Sequence, residues 1–292
     1  MKKFLCFLVF LVLMSLMSSS AYALEKRVIR LGLLSKLNSS EEEFLETWKK
    51  TYAPKNQNLE IVVKFYDTLN AMQMALNAVE IHEMILPDVV ANYIMKMSNE
   101  YTSSIVLRSK GMGLAFGFRE DSKELRDQFN AALSALRDDW TLEALEGAYI
   151  ASPSDNPEPV KFTKFDNADT IKVAVTGDLP PIDFVAADGE PAGFNTAVLS
   201  EIGAYLKKNV ELINVDAGAR TAALASGRVD VVFWYEVDMT ADIQSDVPDG
   251  VILSKPYFEW NRFIHLKKAV KGAEQTNWWS ARDFVELFRI GY

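Results

Sequence analysis

Ile171-Lys172-Val173-Ala174-Val175, then Asp178-Leu179-Pro180-Pro181, then Ala187-Asp188-Gly189-Glu190 is the stretch on which the fold class turns. The first run is short and β-rich and reads as a strand. The proline pair is a turn, and Asp188-Gly189 is the tip of a hairpin. The same rhythm continues outward. Thr196 to Lys207 reads as a helix, Val210 to Val215 as a strand, Arg220 to Ser226 as a helix, and Arg228 to Phe233 as a strand. Short strands alternating with helices define an α/β architecture with largely parallel sheets.

A second stretch of the same kind precedes this one. Val28 to Leu34 is an apolar strand. Asn38-Ser39-Ser40 before Glu41, Glu42 and Glu43 is a helix start, with a serine cap, a glutamate three residues on and an acidic first turn that suits the helix dipole. Phe44, Leu45 and Trp48 are expected on its buried face. Leu59 to Phe65 alternates as a strand. Leu69 to Val79 reads as a helix with Leu69, Met72, Leu76 and Val79 inward. Met84 to Leu86 is a strand and Val89 to Met97 a helix. Gly111 to Phe118 is a strand of small and apolar residues. Lys123 to Trp140 is an amphipathic helix with Leu125, Phe129, Ala132, Leu133 and Leu136 on one side, and Thr141 to Tyr149 continues as a shorter helix. Between the two stretches, residues 151–168 carry Pro153, Pro157 and Pro159 among polar residues and read as an extended linker. Two α/β stretches separated by a break fit two lobes.

The N-terminus reads as an export signal. Lys2 and Lys3 precede an apolar run from Phe4 to Met17, and Ala21-Tyr22-Ala23 fits the small-x-small cleavage pattern. The run is shorter than the roughly 20 residues that span a bilayer, although a retained anchor is the alternative. Cleavage after Ala23 leaves 269 of 292 residues and removes the single cysteine, Cys6, so a mature chain has no disulfide and no cysteine metal site. A chain of that length buries a core large enough to do without disulfides. The formal charge is −9, and −11 once Lys2 and Lys3 are gone. That balance argues against nucleic acid, whose binding depends on neutralising phosphates, and fits a soluble monomer. His82 and His265 lack ligand spacing and read as structural, so no metal and no cofactor is expected.

The stretch from Ile171 to Tyr257 resembles the first lobe of bacterial extracellular solute-binding proteins of the amino-acid uptake type, family 3. The resemblance rests on Ile171–Val175, Leu179-Pro180-Pro181, Asp188-Gly189-Glu190 with Gly193-Phe194, Ala223 to Asp230, and Ser254-Lys255-Pro256-Tyr257, in order and spacing. The N-terminal half resembles the same family's second lobe followed by its terminal helices. Asn38-Ser39-Ser40 stands at a helix start, Tyr52-Ala53-Pro54-Lys55 and Leu59–Val62 follow, Gly111–Ala115 stands at a strand crossing between lobes, and Lys123 to Thr141 at the terminal helix pair. The resemblance implies a two-lobed, periplasmic binding protein-like (type II) α/β fold, each lobe a mainly parallel sheet flanked by helices. It also implies an inverted lobe order. The expected parts are a signal peptide (1–23), a second-lobe-like domain (24–108), a crossing strand with terminal helices (109–150), the linker (151–168), a first-lobe-like domain (169–260), and a hinge strand with a C-terminal helix (261–292). Circular permutation accounts for that order; two unrelated incomplete lobes, or lobes swapped between chains, are the rivals.

The resemblance further implies a monomeric periplasmic protein that binds a small polar solute, an amino acid or a related compound, and delivers it to a membrane ABC permease. No catalysis is expected. The alternatives are a small periplasmic enzyme of the dehydratase or lyase type, with Glu236 and Asp178 as acid and base, or a ligand-sensing or scaffold protein for a membrane receptor. Ser39 and Ser40 are candidates to bind an anion, or simply cap a helix. Trp234, Tyr235 and Glu236 follow a strand that should end at the cleft; the aromatics stack on ligand or fill the lobe interface. Asp178 follows the first strand of its lobe and contacts ligand or caps a turn.

The departures from the family bear on the ligand. The family's carboxylate-gripping arginine is missing from Met239–Ser245, the aromatic before the proline pair is Leu179, and the second-lobe acid falls at Pro87 with Asp88 next to it. Arg220 and Arg262 are candidate substitutes for the arginine, or surface and hinge residues.

Overall fold

The computed structural model describes residues 27–36, 39–51, 59–154, 158–240 and 246–269. The expected signal peptide, the Tyr52–Lys55 motif and the C-terminal helix lie outside the described residues, as does most of Met239–Ser245. In chain order the elements are β1 (Arg27–Leu34), α1 (Glu41–Thr51), β2 (Leu59–Tyr66), α2 (Leu69–Asn77), β3 (Glu83–Pro87), α3 (Asp88–Met97) and β4 (Tyr101–Arg119). Then come α4 (Lys123–Asp138), α5 (Thr141–Glu146), a π-helical turn (Gly147–Ala151), β5 (Thr170–Val175), β6 (Asp178–Leu179), β7 (Asp183–Val185) and β8 (Pro191–Ala192). The last are α6 (Phe194–Leu206), β9 (Asn209–Asn214), a 3-10 turn (Ala217–Ala219), α7 (Arg220–Ala225), β10 (Val231–Asp238), β11 (Val251–Leu253) and β12 (Phe258–Lys268).

The main sheet runs β2-β1-β3-β12-β4-β10-β5-β9, with β11 on β4. Its two halves repeat one plan. On one side β2, β1 and β3 are parallel and meet β12, which is antiparallel to both β3 and β4. On the other side β9, β5 and β10 are parallel and meet β4, which is antiparallel to β10 and β11. β4 and β12 are long because each serves both halves. Residues 101–108 and 112–114 of β4 pair with β12, and residues 112–118 pair with β10. Each lobe therefore has a parallel three-strand core joined to antiparallel strands, and two strands cross between the lobes.

β4 is also longer than the sequence suggested, since only Gly111 to Phe118 reads as a strand. Tyr101 to Lys110 mixes polar residues with Ile105-Val106-Leu107 without regular alternation, and the ladder to β12 holds residues 101–108 extended. The helices that follow β4 pack on the lobe formed by residues 169–260: α4 and α5 both lie against α6. Phe129 of α4 meets Phe116 and Phe118 of β4 edge to face, at centroid distances of 5.3 and 5.1 Å, a geometry aromatic rings prefer. Phe116 also stacks on Tyr257 at 4.4 Å. Ala132, Leu133 and Leu136 are buried beside Phe129, as the helical spacing predicts.

Local chemistry explains most element ends. Ser40 and Glu43 form a reciprocal capping box at the start of α1: the Glu43 N–H donates to Ser40 Oγ (3.2 Å) and the Ser40 N–H to Glu43 Oε2 (2.9 Å). Phe44 and Leu45 are half-buried against the Ile29, Leu31, Ile61 and Val63 cluster. Thr68 Oγ1 caps α2 by accepting from Ala71 N at 3.1 Å. Two residues depart from their expected places. Val79 lies past α2 at φ 60° and is 64 % exposed, and Trp140 ends α4 at φ 67° and is 73 % exposed. Both sit where a helix reverses, so the next helical position does not face the core.

Gly117 is required where it stands. A Cβ there would lie 2.1 Å from Tyr235 Cε2, so the tyrosine ring lies directly against the β4 backbone.

Candidate functional site

The parallel strands of the two halves end facing each other, and the ends of β1 and β10 build the cleft. β1 delivers Leu34, Ser35 and Lys36. β10 delivers Trp234 and Glu236, α7 delivers Arg220, and Asp246 closes the ring. Together these seven enclose a cavity of about 20 Å³, room for about one water molecule. A larger, open cavity of about 460 Å³ lies at the outer end of β4, between residues 119–121, α7 and residues 249–251. It is away from the strand ends that meet across the lobes.

Lys36 Nζ forms an ion pair with Glu236 Oε2, with side chains 21 % and 12 % exposed. Burial pulls the Lys36 pKa down, but Glu236 and Asp246 outweigh it and hold the ammonium above its ordinary value. Arg220 is 3 % exposed. Its Nε donates to Ala217 O (3.0 Å) and its Nη1 to Trp234 O (2.7 Å). Its guanidinium lies 5.0 Å from the Trp234 ring centroid, a cation–π contact. Burial lowers the Arg220 pKa from its ordinary value, opposed by the charges of Tyr235, Asp246, Glu236 and Asp183.

Further polar contacts join the lobes. Asp67 Oδ1 accepts from Ser35 Oγ in its own lobe (2.7 Å) and from Gly218 N in the other (3.2 Å). Asp178 Oδ2 accepts from Asn70 N at 3.3 Å, at the start of α2. Burial raises the Asp178 pKa, against the N–H groups of Asn70 and Leu69. Tyr93 of α3 and Phe184 of β7 pack at 6.2 Å.

The expected site residues divide. Arg220, Trp234 and Glu236 come together in the cleft, and Asp178 bridges the lobes beside it. Tyr235 does not join them. A strand alternates faces, so with Trp234 and Glu236 on the cleft side Tyr235 turns into a core cluster with Ala174 and Val232, 1 % exposed. Ser39 and Ser40 are also outside the cavity lining; Ser40 is exposed and caps α1. Asp88 opens α3 and pairs with Arg262 of β12 (Nε–Oδ2 3.4 Å), a contact between a lobe and a crossing strand rather than a lining of the cavity. Burial raises the Asp88 pKa, and Arg262 opposes it. The sequence reading missed Ser35, Lys36, Asp67 and Asp246. Ser35 and Lys36 follow the first strand of their lobe as Asp178 follows β5, and the rule that singled out Asp178 reaches them too. Among the described residues no group of three or more His, Cys, Asp or Glu is placed to hold a metal.

Asp183 fixes the loop that carries Asp178. It is 2 % exposed, and its Oδ2 accepts from Thr176 N (2.9 Å), Gly177 N (2.7 Å) and Thr176 Oγ1 (3.2 Å). Burial pushes its pKa up to about 6, against those donors. A raised carboxyl pKa adds stability that is full below the ordinary value of 3.8 and lost as pH rises through about 6. The difference across that window is about 3 kcal/mol. Asp183→Asn keeps an acceptor and cannot ionise. Urea midpoints measured from about pH 4 to 6 should rise less on acidification in this variant than in the wild type. Parallel pH profiles would exclude Asp183 as their source.

The described fold is that of a two-lobed α/β protein with two crossing strands and a polar cleft between the lobes. Residues 171–269 match the model of the bacterial extracellular solute-binding proteins, family 3. No curated protein matches the chain. Among solved structures it is similar to a ligand-binding component of an ABC-type import system from Staphylococcus aureus with zinc bound, at 12 % identity and TM-score 0.46, covering 90 % of this chain and 72 % of that one. It is similar to the substrate-binding protein of an amino acid ABC transporter, at 14 % identity and TM-score 0.42, covering 90 % and 92 %. It is also similar to CbnR, a LysR family transcriptional regulator, at 11 % identity and TM-score 0.41, covering 93 % and 72 %.

Proposed function

We propose that this protein is an exported solute-binding protein. It captures a small polar solute, an amino acid or a related compound, between its lobes in the periplasm and presents it to a membrane ABC permease. It acts by binding, as a monomer, and not by catalysis. The observation that carries this reading is the match of residues 171–269 to the solute-binding family, on a chain whose opposed strand ends place Lys36, Arg220, Trp234 and Glu236 around one cleft. Closure of such lobes on a ligand shifts the population toward the form a transporter recognises. We infer that the lobe order is that of a permuted chain; in support, the helices after β4 pack on the lobe of residues 169–260, and β12 returns to the lobe of β1 to β3.

A library of amino acids, polyamines and small organic acids tests the reading by thermal shift. A true ligand at a hundredfold over its Kd should raise Tm by about 5–10 °C, because it binds only the folded state. The rise should shrink in Arg220→Lys, which loses the two-pronged hold on the Ala217 and Trp234 carbonyls. If no compound moves Tm and no small molecule accompanies the protein in native mass spectrometry, the solute-binding reading fails.

A further inference from the structure

We infer that Lys36 is a built-in occupant of the cleft, a tethered ammonium that holds Glu236 until a solute bearing its own ammonium or guanidinium displaces it. The inference rests on the solute-binding reading and names the class of solute. Lys36 and Glu236 lie 200 positions apart and come from opposite lobes. Their contact is largely shielded from solvent, and with it in place the cavity has room for about one water. A solute larger than water must therefore displace a lining group, by moving its side chain or by parting the lobes that carry Lys36 and Glu236.

The lining groups differ in how easily they move. Arg220 is fixed by two backbone carbonyls and the Trp234 ring. Glu236 and Trp234 sit within β10, where Glu236 is paired to Leu114 of β4 and Trp234 is buried in the core. Lys36 follows the end of β1 on a flexible four-carbon stem. Its displacement leaves two lining carboxylates, Glu236 and Asp246, against one lining cation, Arg220, whose guanidinium is already engaged by the Ala217 and Trp234 carbonyls and the Trp234 ring. That is a setting for a cation, and an incoming anion would meet those two carboxylates instead. The same contact works as a latch: it joins the lobes at the point where a ligand would, so displacement and occupation are one exchange.

The test uses n-butylammonium, which carries four carbons and an ammonium as the lysine side chain does. Lys36→Ala opens the place the side chain fills, and calorimetry should show n-butylammonium binding it on the order of tenfold more tightly than the wild type. Lys36→Ala/Glu236→Gln should lose that gain. Sodium chloride at equal ionic strength should not reproduce it. A second readout needs no ligand: electron-electron distances between spin labels on the two lobes should broaden in Lys36→Met and Lys36→Ala. They should narrow again in the charge swap Lys36→Glu/Glu236→Lys.

Equal binding by the wild type and Lys36→Ala, or a gain indifferent to Glu236, overturns the inference. Unchanged distances in both single variants overturn the latch. If these results come out as expected while no metabolite binds any variant, the solute-binding reading fails and the Lys36 contact stands as a lobe clasp alone.

Discussion

Replacing His265 with leucine should lower the stability of the protein by roughly 3 kcal/mol, read as a fall in the urea midpoint at constant slope. His265 and Glu83 are 0 % and 2 % exposed, on the adjacent strands β12 and β3. His265 Nδ1 meets Glu83 Oε2 at 2.7 Å, and Ser104 Oγ from β4 donates to Glu83 Oε1 at 2.8 Å. Three strands, two of them crossing between lobes, thus meet on one carboxylate. Burial alone would raise the Glu83 pKa, but the hydrogen bond and charge of His265, with Ser104, outweigh it and hold the carboxyl below its ordinary range. The lowered value adds stability above the ordinary carboxylate pKa, and this is lost as pH falls through the folded value.

Leucine removes the partner and leaves the carboxylate buried, which is the costly half of such a deletion. Glu83→Leu/His265→Leu should therefore recover part of the loss, since two apolar groups leave no stranded charge. A single variant within about 1 kcal/mol of the wild type, or a double variant worse than the sum of the singles, would show the pair to be incidental.

Gly193→Ala should cost about 3–5 kcal/mol, the sum of backbone strain and overpacking. Gly193 has φ +109°, and a Cβ there would stand 2.6 Å from Ile182 O, 2.8 Å from Ile182 C and 3.0 Å from Pro181 O. These are backbone atoms, and they already accept from the start of α6: Phe194 N to Pro181 O at 2.9 Å and Asn195 N to Ile182 O at 2.8 Å. The methyl group cannot be accommodated without parting those bonds. They hold α6 against the loop that carries Asp178 and Asp183, so interlobe contacts should loosen with stability. Gly189→Ala is the control. Its φ is +90°, but nothing lies within 4 Å of the added methyl, so only the left-handed strain of about 1–2 kcal/mol remains. Equal melting temperatures for the two variants would show that the close approach at Gly193 contributes nothing.

The class of fold was legible in the chain because it depends on local patterns. Alternating strands such as Ile171–Val175, the serine and glutamates that start α1, the apolar spacing of α4 and the turns at Pro180-Pro181 and Asp188-Gly189 each report their own conformation. The cleft was legible in part. Trp234 and Glu236 stood at the end of a strand whose direction the alternation implied, and Arg220 opened a helix of the same lobe. Tyr235 lies in the core and not in the cleft because successive side chains of a strand point to opposite faces.

What the sequence alone determined is most of the elements, with their types and their order, since these follow from neighbours within a few positions. Tertiary structure decided everything that joins distant segments. It extended β4 back to Tyr101 by pairing residues 101–108 with β12. It laid Tyr235 against Gly117 and put His265 on Glu83. It brought Lys36 to Glu236 across the cleft. Residues up to 200 positions apart leave no periodic trace of their contact, because the energy that selects it comes from burial and pairing that exist only once the lobes have closed on each other.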